Sequence, residues 1–170
     1  LVVRAMDDVD PRPLPGTEGG RDPSVSPDGR QVAFWVSDQI KRVPLDGGAV
    51  VSVGPAPGRP LGISWAADGF IYYGRGSEGI WRIAESGGQP ELVHAVQPGR
   101  YAHGPQMLAG SGWLMFTRAS TVNGWNDAAI VAVRPGTPGS NDERVVVEPA
   151  HEAYAVPGFL TYVHDGLLHA

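Results

Sequence analysis

A repeat of about forty residues is the feature that most limits what this chain can fold into. Asp28-Gly29 recurs as Asp68-Gly69, and Gly47-Gly48 recurs as Gly87-Gly88, in both cases 40 positions later. A period of this length indicates one small structural unit used several times, because each unit is too small to bury its own apolar surface and gains stability by stacking on its neighbours. The chain is therefore expected to consist of equivalent stacked units.

Each unit contains four short β-type segments separated by turn signals. In the first unit these segments are residues 22–26, 31–35, 39–45 and 49–53, with Asp28-Gly29 in the first turn. Glycine accepts the positive φ of a tight hairpin turn, so an Asp-Gly pair between two apolar segments is a strong hairpin signal. Four strands in every forty-odd residues predict an all-β protein, a β-propeller with four-stranded antiparallel blades.

The spacing predicts one propeller segment with three complete blades and a partial blade at each end. Short apolar runs in each second strand are expected to pack between the blades. Incomplete blades leave strand edges unpaired, so the segment is expected to be an arc of a larger propeller or to complete itself by self-association. The expected divisions are residues 1–19 for the end of a preceding blade, 20–57, 58–98 and 99–150 for the three blades, and 151–170 for the start of a further blade.

Composition agrees with a folded β-rich chain and excludes several function classes. Glycine and proline number 24 and 16 in 170 residues, yet 42% of the residues are apolar and only 18% are charged, so these residues punctuate a folded chain instead of marking disorder. The net charge of −5 argues against nucleic acid as a partner. No apolar run approaches the roughly 20 residues of a membrane-spanning helix, so direct membrane insertion is not expected. Cysteine is absent, which excludes disulfides, and no cofactor is indicated.

The segment from Gly20 to Phe34 resembles the TolB-type propeller repeat, in which a Ser-Pro-Asp-Gly turn precedes a short apolar strand. Here the turn is residues 26–29 and the strand begins at Val32. Residues 12–19 and 43–48 extend the resemblance to the TolB-like propellers attached to bacterial eukaryote-like serine/threonine kinases. The resemblance implies a binding or sensing module, usually extracytoplasmic (periplasmic or at the cell surface), without chemistry of its own.

The function expected from this resemblance is that of a non-enzymatic scaffold that binds or senses a protein or a small ligand. The scaffold is expected to be the sensor domain of a larger bacterial protein. One alternative is the propeller domain of a prolyl-oligopeptidase-like or carbohydrate-acting hydrolase whose catalytic part lies outside this segment. The chain itself has no Gly-x-Ser-x-Gly nucleophile motif, since Gly62 to Ala66 lacks the final glycine. The other alternative is a purely structural or oligomerising module.

Three Gly-Arg pairs supply the sharpest binding hypothesis. Arg21, Arg59 and Arg100 each precede the first strand of a blade. If the repeat brings them to one ring at the propeller axis, their guanidinium groups suit a small anionic ligand, because each can bind a carboxylate or phosphate through two hydrogen bonds. The competing interpretation is that each arginine pairs with a group of the next blade.

Histidines and one loop complete the candidate set. His103 and His151 occupy comparable positions before a first strand and are expected to approach each other near the axis, whereas Asp28 and Asp68 are interpreted as turn residues. The loop at residues 123–127 is polar and carries a tryptophan, as binding loops often do. No catalytic residue or metal ligand is predicted. The predicted ligand-binding residues are Arg21, Arg59, Arg100, Tyr101, His103, Trp125 and His151.

Overall fold

The chain folds into short antiparallel strands joined by turns. The computed structural model describes residues 1–7, 9–122, 124, 127–136, 143–156 and 158–170. Within these ranges every regular element is a strand, and no helix suited to crossing a membrane is found.

The strands form five sheets that follow one another along the chain. The N-terminal sheet contains β1 (Val2–Val3) and β2 (Arg12–Pro13). Blade 1 contains β3 (Arg21–Val25), β4 (Gln31–Val36), β5 (Gln39–Pro44) and β6 (Val51–Pro55). Blade 2 contains β7 (Ile63–Trp65), β8 (Phe70–Gly74), β9 (Ile80–Ala84) and β10 (Glu91–His94). Blade 3 contains β11 (Tyr101–Leu108), β12 (Trp113–Ala119), β13 (Ala129–Val133) and β14 (Arg144–Val147). The C-terminal sheet contains β15 (His151–Val156), β16 (Phe159–His164) and β17 (Leu167–His169).

This architecture confirms the predicted all-β propeller of three complete blades and two partial ones. In every sheet the strands are antiparallel and follow chain order from the first strand outward. The first strands of consecutive sheets contact one another, β3 with β7, β7 with β11 and β11 with β15. The first strand of each blade is therefore the innermost one and lines the axis.

The core lies between the blades, as the apolar second strands predicted. Val32 and Phe34 of β4 pack with Leu14 beside the N-terminal sheet, whereas Ala33 between them packs with Tyr73 of blade 2. Successive side chains of a strand point to opposite faces, so one short apolar run fills two interfaces. The same alternation sends Tyr72 towards blade 3.

The aspartates of the repeat are turn residues, as predicted. Asp28 Oδ1 accepts hydrogen bonds from Ser26 Oγ at 2.5 Å and from the backbone N–H of Arg30 at 3.0 Å. The hydrogen bond from Ser26, followed by that from Arg30, lowers the pKa of the Asp28 carboxyl. Asp68 closes the equivalent turn by accepting from the Phe70 backbone N–H at 3.2 Å.

Candidate ligand-binding site

Each innermost strand carries one residue in the left-handed backbone region near its start, within the strand in β3, β11 and β15 and directly before it in β7. These residues are Asp22, Gly62, Gly104 and Glu152, with φ values of 51°, 87°, 59° and 51°. In β3, β11 and β15 the pairing register shifts next to this residue, as it does at a β-bulge. A bulge bends the strand and changes the direction of the neighbouring side chains, so these three strands present the same irregular segment to the axis.

These four segments enclose a cavity of about 580 Å³, which we call the axial cavity. All four innermost strands contribute to its wall, and Thr117 of β12 is also part of it. The wall carries two carboxylates and several neutral hydrogen-bonding groups. Its polar side chains are those of Asp22, Ser24, Ser64, His103, Gln106, Thr117, Glu152 and Tyr154.

Two of these polar side chains hold the backbone of the next blade. Ser24 Oγ accepts a hydrogen bond from the Trp65 backbone N–H at 2.9 Å. Gln106 Oε1 accepts from the Ala155 backbone N–H at 2.8 Å, and Gln106 Nε2 donates to the Ala155 carbonyl oxygen at 3.1 Å. In each case the side chain belongs to the second residue after the left-handed residue of its own blade. The backbone group that it bonds belongs to the third residue after the left-handed residue of the next blade. The repeat therefore builds the same clasp at two interfaces.

Between blades 2 and 3 the backbones themselves meet, which explains the glycines there. A Cβ on Gly62 would lie 3.0 Å from the Gly104 Cα. The Gly104 backbone N–H donates to the Leu61 carbonyl oxygen at 2.8 Å, and Gly76 forms a bridge with Ala102. A side chain at Gly62 would push these backbones apart.

The structure does not bring the three predicted arginines to one ring on the axis. Arg21, Arg59 and Arg100 stand one, three and four residues before the left-handed residue of their blade, and none of them lines the axial cavity. The Gly-Arg pairs differ in their offset from the bulge because the connections entering the blades differ in length. Arg59 Nε instead donates to Asp22 Oδ2 at 3.2 Å, an ion pair between consecutive blades.

Arg59 and Tyr101 both line a separate pocket of about 260 Å³, formed largely by the connections that precede β7 and that join β8 to β9, which we call the rim pocket. Arg75 also lines this pocket, with its guanidinium group 3.0 Å from the Glu78 carboxylate and 5.0 Å from the centre of the Trp81 ring. Both arginines of the rim pocket are thus already paired with carboxylates.

The two predicted histidines occupy equivalent positions, each one residue before the left-handed residue of its strand. His103 lines the axial cavity. Burial, with a further contribution from the nearby charge of His151, lowers the pKa of His103 to about 4. His103 is therefore neutral at pH 7. His151 lines a smaller pocket of about 110 Å³ with His164 and Asp165, and the predicted Trp125 lies outside the described residues.

Sequence reasoning missed the polar residues that the bulge presents, above all Asp22, Ser24 and Glu152. A signal was present in the Asp22-Pro23 and Gly104-Pro105 pairs, which stand 82 positions apart, about two periods. Glu152 gave no such signal because alanine follows it. Within the part of the chain that the structure describes, no three His, Asp or Glu side chains are grouped closely enough to hold a metal ion.

No protein-family model and no curated protein matches the chain. Solved structures do match. A TolB-type protein from Agrobacterium tumefaciens matches with a TM-score of 0.67 and 17% identity, over 83% of this chain and 53% of its own. Regucalcin, a calcium-binding protein from the same organism, gives 0.58 and 13%, over 85% and 50%. An oligogalacturonate lyase in complex with manganese gives 0.55 and 12%, over 88% and 52%. The likeness is one of propeller fold, and the chain spans about half the length of these structures.

Proposed function

We propose that this chain is a non-enzymatic TolB-like propeller scaffold that binds a protein segment or small ligand at the axial cavity. The observation that carries the proposal is the repeated left-handed residue, because the segments that follow it on four innermost strands bring polar groups to one cavity of about 580 Å³. A concave site with a few convergent polar groups is where ligands bind most often in folded proteins.

The walls of the axial cavity are held in place before any ligand arrives. Asp22 is paired with Arg59, Ser24 holds the backbone of Trp65, and Gln106 holds the backbone of Ala155. Groups fixed in this way lose little conformational entropy on binding, which favours recognition by a preformed surface. This rigidity supports a role as a scaffold.

The charge of the axial cavity favours a cationic or hydrogen-bond-donating group on the partner. Glu152 supplies a carboxylate, Asp22 supplies a second one whose charge is shared with Arg59, and His103 is neutral at pH 7 because its pKa is lowered to about 4. The predicted small anionic ligand loses its support at the axis, because the arginines meant to bind it lie elsewhere. At the rim pocket an anion would have to compete with the carboxylates that already pair Arg59 and Arg75.

The proposed context is the sensor domain of a larger bacterial protein, outside the cytoplasm, of the kind attached to eukaryote-like kinases. What supports it is the resemblance carried by residues 12–34 and 43–48. The sequence flanking residues 1 and 170 in the parent reading frame tests it. An upstream kinase domain or membrane span would support the sensor, and a downstream Gly-x-Ser-x-Gly domain would favour the hydrolase alternative instead.

Ligand binding at the axial cavity is tested by calorimetric titration and thermal shift with spermidine as the cationic probe and inorganic phosphate as the anionic one. We expect spermidine to raise the melting temperature, since a ligand at 100 times its Kd adds about 2.7 kcal/mol to stability. Glu152→Gln should weaken spermidine binding by about tenfold, as expected for the loss of one charge-assisted contact.

Glu18→Gln is the matched control, because it removes the same charge from an exposed turn outside the axial cavity. It should bind spermidine as the unmodified chain does. Equal spermidine affinity in the Glu152 and Glu18 variants, or stabilisation by phosphate alone, would overturn the proposed site.

A further inference from the structure

A second cavity lies between blades 1 and 2, in the middle of the chain. It has a volume of about 250 Å³, and we call it the inter-blade cavity. Its lining residues fall between positions 26 and 85, and none of them lines the axial cavity. The charged side chains in its wall are those of Asp28 and Arg42 from blade 1 and Glu85 from blade 2. One guanidinium group and two carboxylates therefore border the same space.

Arg42 reaches the inter-blade cavity without a carboxylate partner. Its Nη1 donates to Gln31 Oε1 at 3.1 Å, whereas its Nε is buried and has no hydrogen-bond partner in the described part of the chain. Among the described residues Arg42 also forms no ion pair, although Asp28 and Glu85 line the same cavity. A guanidinium group offers five N–H donors, and a buried donor left unbonded costs free energy. Arg42 thus keeps binding capacity for an anionic group from outside the chain.

Arg82 is the equivalent residue of blade 2, 40 positions later, and it is engaged within its own blade. Arg82 lies opposite Glu91 in the pairing of β9 with β10, and its Nε donates to Glu91 Oε1 at 2.6 Å. The Arg82 guanidinium also lies 4.0 Å from the centre of the Phe70 ring. The repeat can therefore satisfy an arginine at this position internally.

Blade 1 lacks both of these partners. Arg42 lies opposite Val51 in the pairing of β5 with β6, where blade 2 has Glu91. Gln31 begins β4 where Phe70 begins β8. The carboxylate that blade 2 supplies to its arginine is thus absent from blade 1, where the arginine borders a cavity instead.

Glu85 is fixed on the blade 2 side of the inter-blade cavity. Its Oε2 accepts a hydrogen bond from Trp65 Nε1 at 2.6 Å, which orients the carboxylate. Within the ranges that the structure describes, Glu85 forms no ion pair either. The remaining wall on this side is small, since Ala66, Ala67 and Gly69 supply it. The inter-blade cavity therefore presents an oriented anion beside an unpaired cation, with little bulk to exclude a small ligand.

We propose that the inter-blade cavity binds a free α-amino acid, with the ligand's carboxylate on Arg42 and its ammonium group on Glu85. A guanidinium group binds a carboxylate through two parallel hydrogen bonds, and an ammonium group donates to a carboxylate in the same charge-assisted way. A simple anion would be repelled by Asp28 and Glu85, and a simple cation would leave Arg42 without its partner. A zwitterion satisfies both walls at once.

Calorimetric titration of the whole chain with three probes tests this inference. L-alanine carries both charges, propionate has the same skeleton without the ammonium group, and ethylamine has it without the carboxylate. We expect L-alanine to bind about tenfold more tightly than either of the others, because each of them loses one charge-assisted contact. L-alanine should also shift the NMR resonance of the Trp65 indole N–H, which donates to Glu85. Undetectable binding of L-alanine, equal affinity for propionate or ethylamine, or an unmoved Trp65 resonance would overturn the inference.

Val51→Glu tests the role of Arg42 without removing it. Val51 is 47% exposed, and a glutamate there would give Arg42 the partner that Glu91 gives Arg82. The affinity for L-alanine should fall about tenfold without a loss of stability in thermal unfolding, because the new carboxylate competes with that of the ligand. Val51→Gln is the matched control, since it has the same size without the charge, and it should bind L-alanine as the unmodified chain does. An equal effect of the two substitutions would contradict the proposed role of Arg42.

Glu85→Gln tests the contact with the ammonium group. The variant keeps an oxygen acceptor for Trp65 Nε1 and removes the negative charge. We expect the affinity for L-alanine to fall about tenfold while the affinity for propionate does not fall, because propionate has no ammonium group to lose its partner. Circular dichroism establishes that each variant is folded. Unchanged affinity for L-alanine in Glu85→Gln, or an equal loss for L-alanine and propionate, would overturn the proposed orientation of the ligand.

Discussion

Gln106 binds the backbone of Ala155 through both ends of its side-chain amide. Its Oε1 accepts from the Ala155 N–H at 2.8 Å and its Nε2 donates to the Ala155 carbonyl oxygen at 3.1 Å. The side chain thus pairs with the next sheet as a strand backbone would, and it does so in the wall of the axial cavity. Inter-blade cohesion and the shape of the site depend on the same residue.

Replacing Gln106 with alanine should therefore destabilise the fold measurably. Gln106→Ala leaves the N–H and carbonyl of Ala155 without their partner, at a cost of about 2 kcal/mol in the free energy of unfolding. Ser24→Ala removes a single hydrogen bond at the corresponding place between blades 1 and 2 and should cost about 1 kcal/mol. Urea denaturation measures both values, and a loss no larger for Gln106→Ala than for Ser24→Ala would contradict the two-bond clasp.

A methyl group at Gly62 should cost more than one at another glycine of the same backbone class. Gly62 and Gly29 both have a positive φ, of 87° and 70°, so alanine at either position is strained by about 1 kcal/mol. At Gly62 the added Cβ also meets the Gly104 Cα at 3.0 Å, whereas at Gly29 nothing lies within 4 Å. We expect Gly62→Ala to cost about 3 kcal/mol, since overpacking adds about 1–3 kcal/mol to the backbone strain. Equal losses in the free energy of unfolding for Gly62→Ala and Gly29→Ala, measured by urea denaturation, would contradict a close backbone contact between blades 2 and 3 at Gly62.

The Glu143 carboxylate should make stability depend on pH in the acid range. Glu143 Oε1 lies 2.9 Å from His94 Nε2, and its other oxygen accepts from Arg118. The hydrogen bond from His94 and then that from Arg118 hold the pKa of Glu143 below its ordinary value of 4.5, against the opposing effect of burial. Because the folded pKa is the lower one, the stabilisation is present above pH 4.5 and is lost as the pH falls through the folded pKa.

Glu143→Gln separates this effect from other acid-sensitive groups. At pH 7 the variant should be less stable by about 2 kcal/mol, the scale of hydrogen bonds to a charged group. The difference between the variant and the unmodified chain should shrink when the free energy of unfolding is measured at successively lower pH below 4.5. A difference that stays constant over this range would show that Glu143 is not stabilised as a carboxylate.

His103 should titrate far below an ordinary histidine. Burial, aided by the charge of His151, lowers its pKa from 6.5 to about 4. The folded state therefore resists the proton that the unfolded state accepts, so this residue destabilises the fold progressively as the pH falls from 6.5 towards 4. NMR titration of the ring protons should give a midpoint near 4, and His151→Gln should move it upward. A midpoint near 6.5 would place the ring in solvent.

The bulge explains why the fold could be predicted more completely than the site. The Asp28 and Asp68 turns depend on contacts within a few residues, so the sequence displays them directly. The second-strand core depends on the alternation of apolar side chains, which is also visible along the chain. The predicted convergence of the three arginines on the axis rested on the assumption that a motif at a similar sequence spacing occupies the same place in every blade. Arg21 and Arg100 instead differ by three residues in their offset from the left-handed residue.

The sequence by itself determined the repeat, the strand order and the inter-blade core, because the forty-residue period, the Asp-Gly turns and the two-residue alternation are local properties of the chain. Only the tertiary structure decided which side chains face the axis. That outcome depends on a left-handed residue such as Glu152, and on bonds such as those between Gln106 and Ala155, which join residues 49 positions apart. Contacts between residues so far apart along the chain form when the blades stack, and they cannot be predicted from the sequence around either residue.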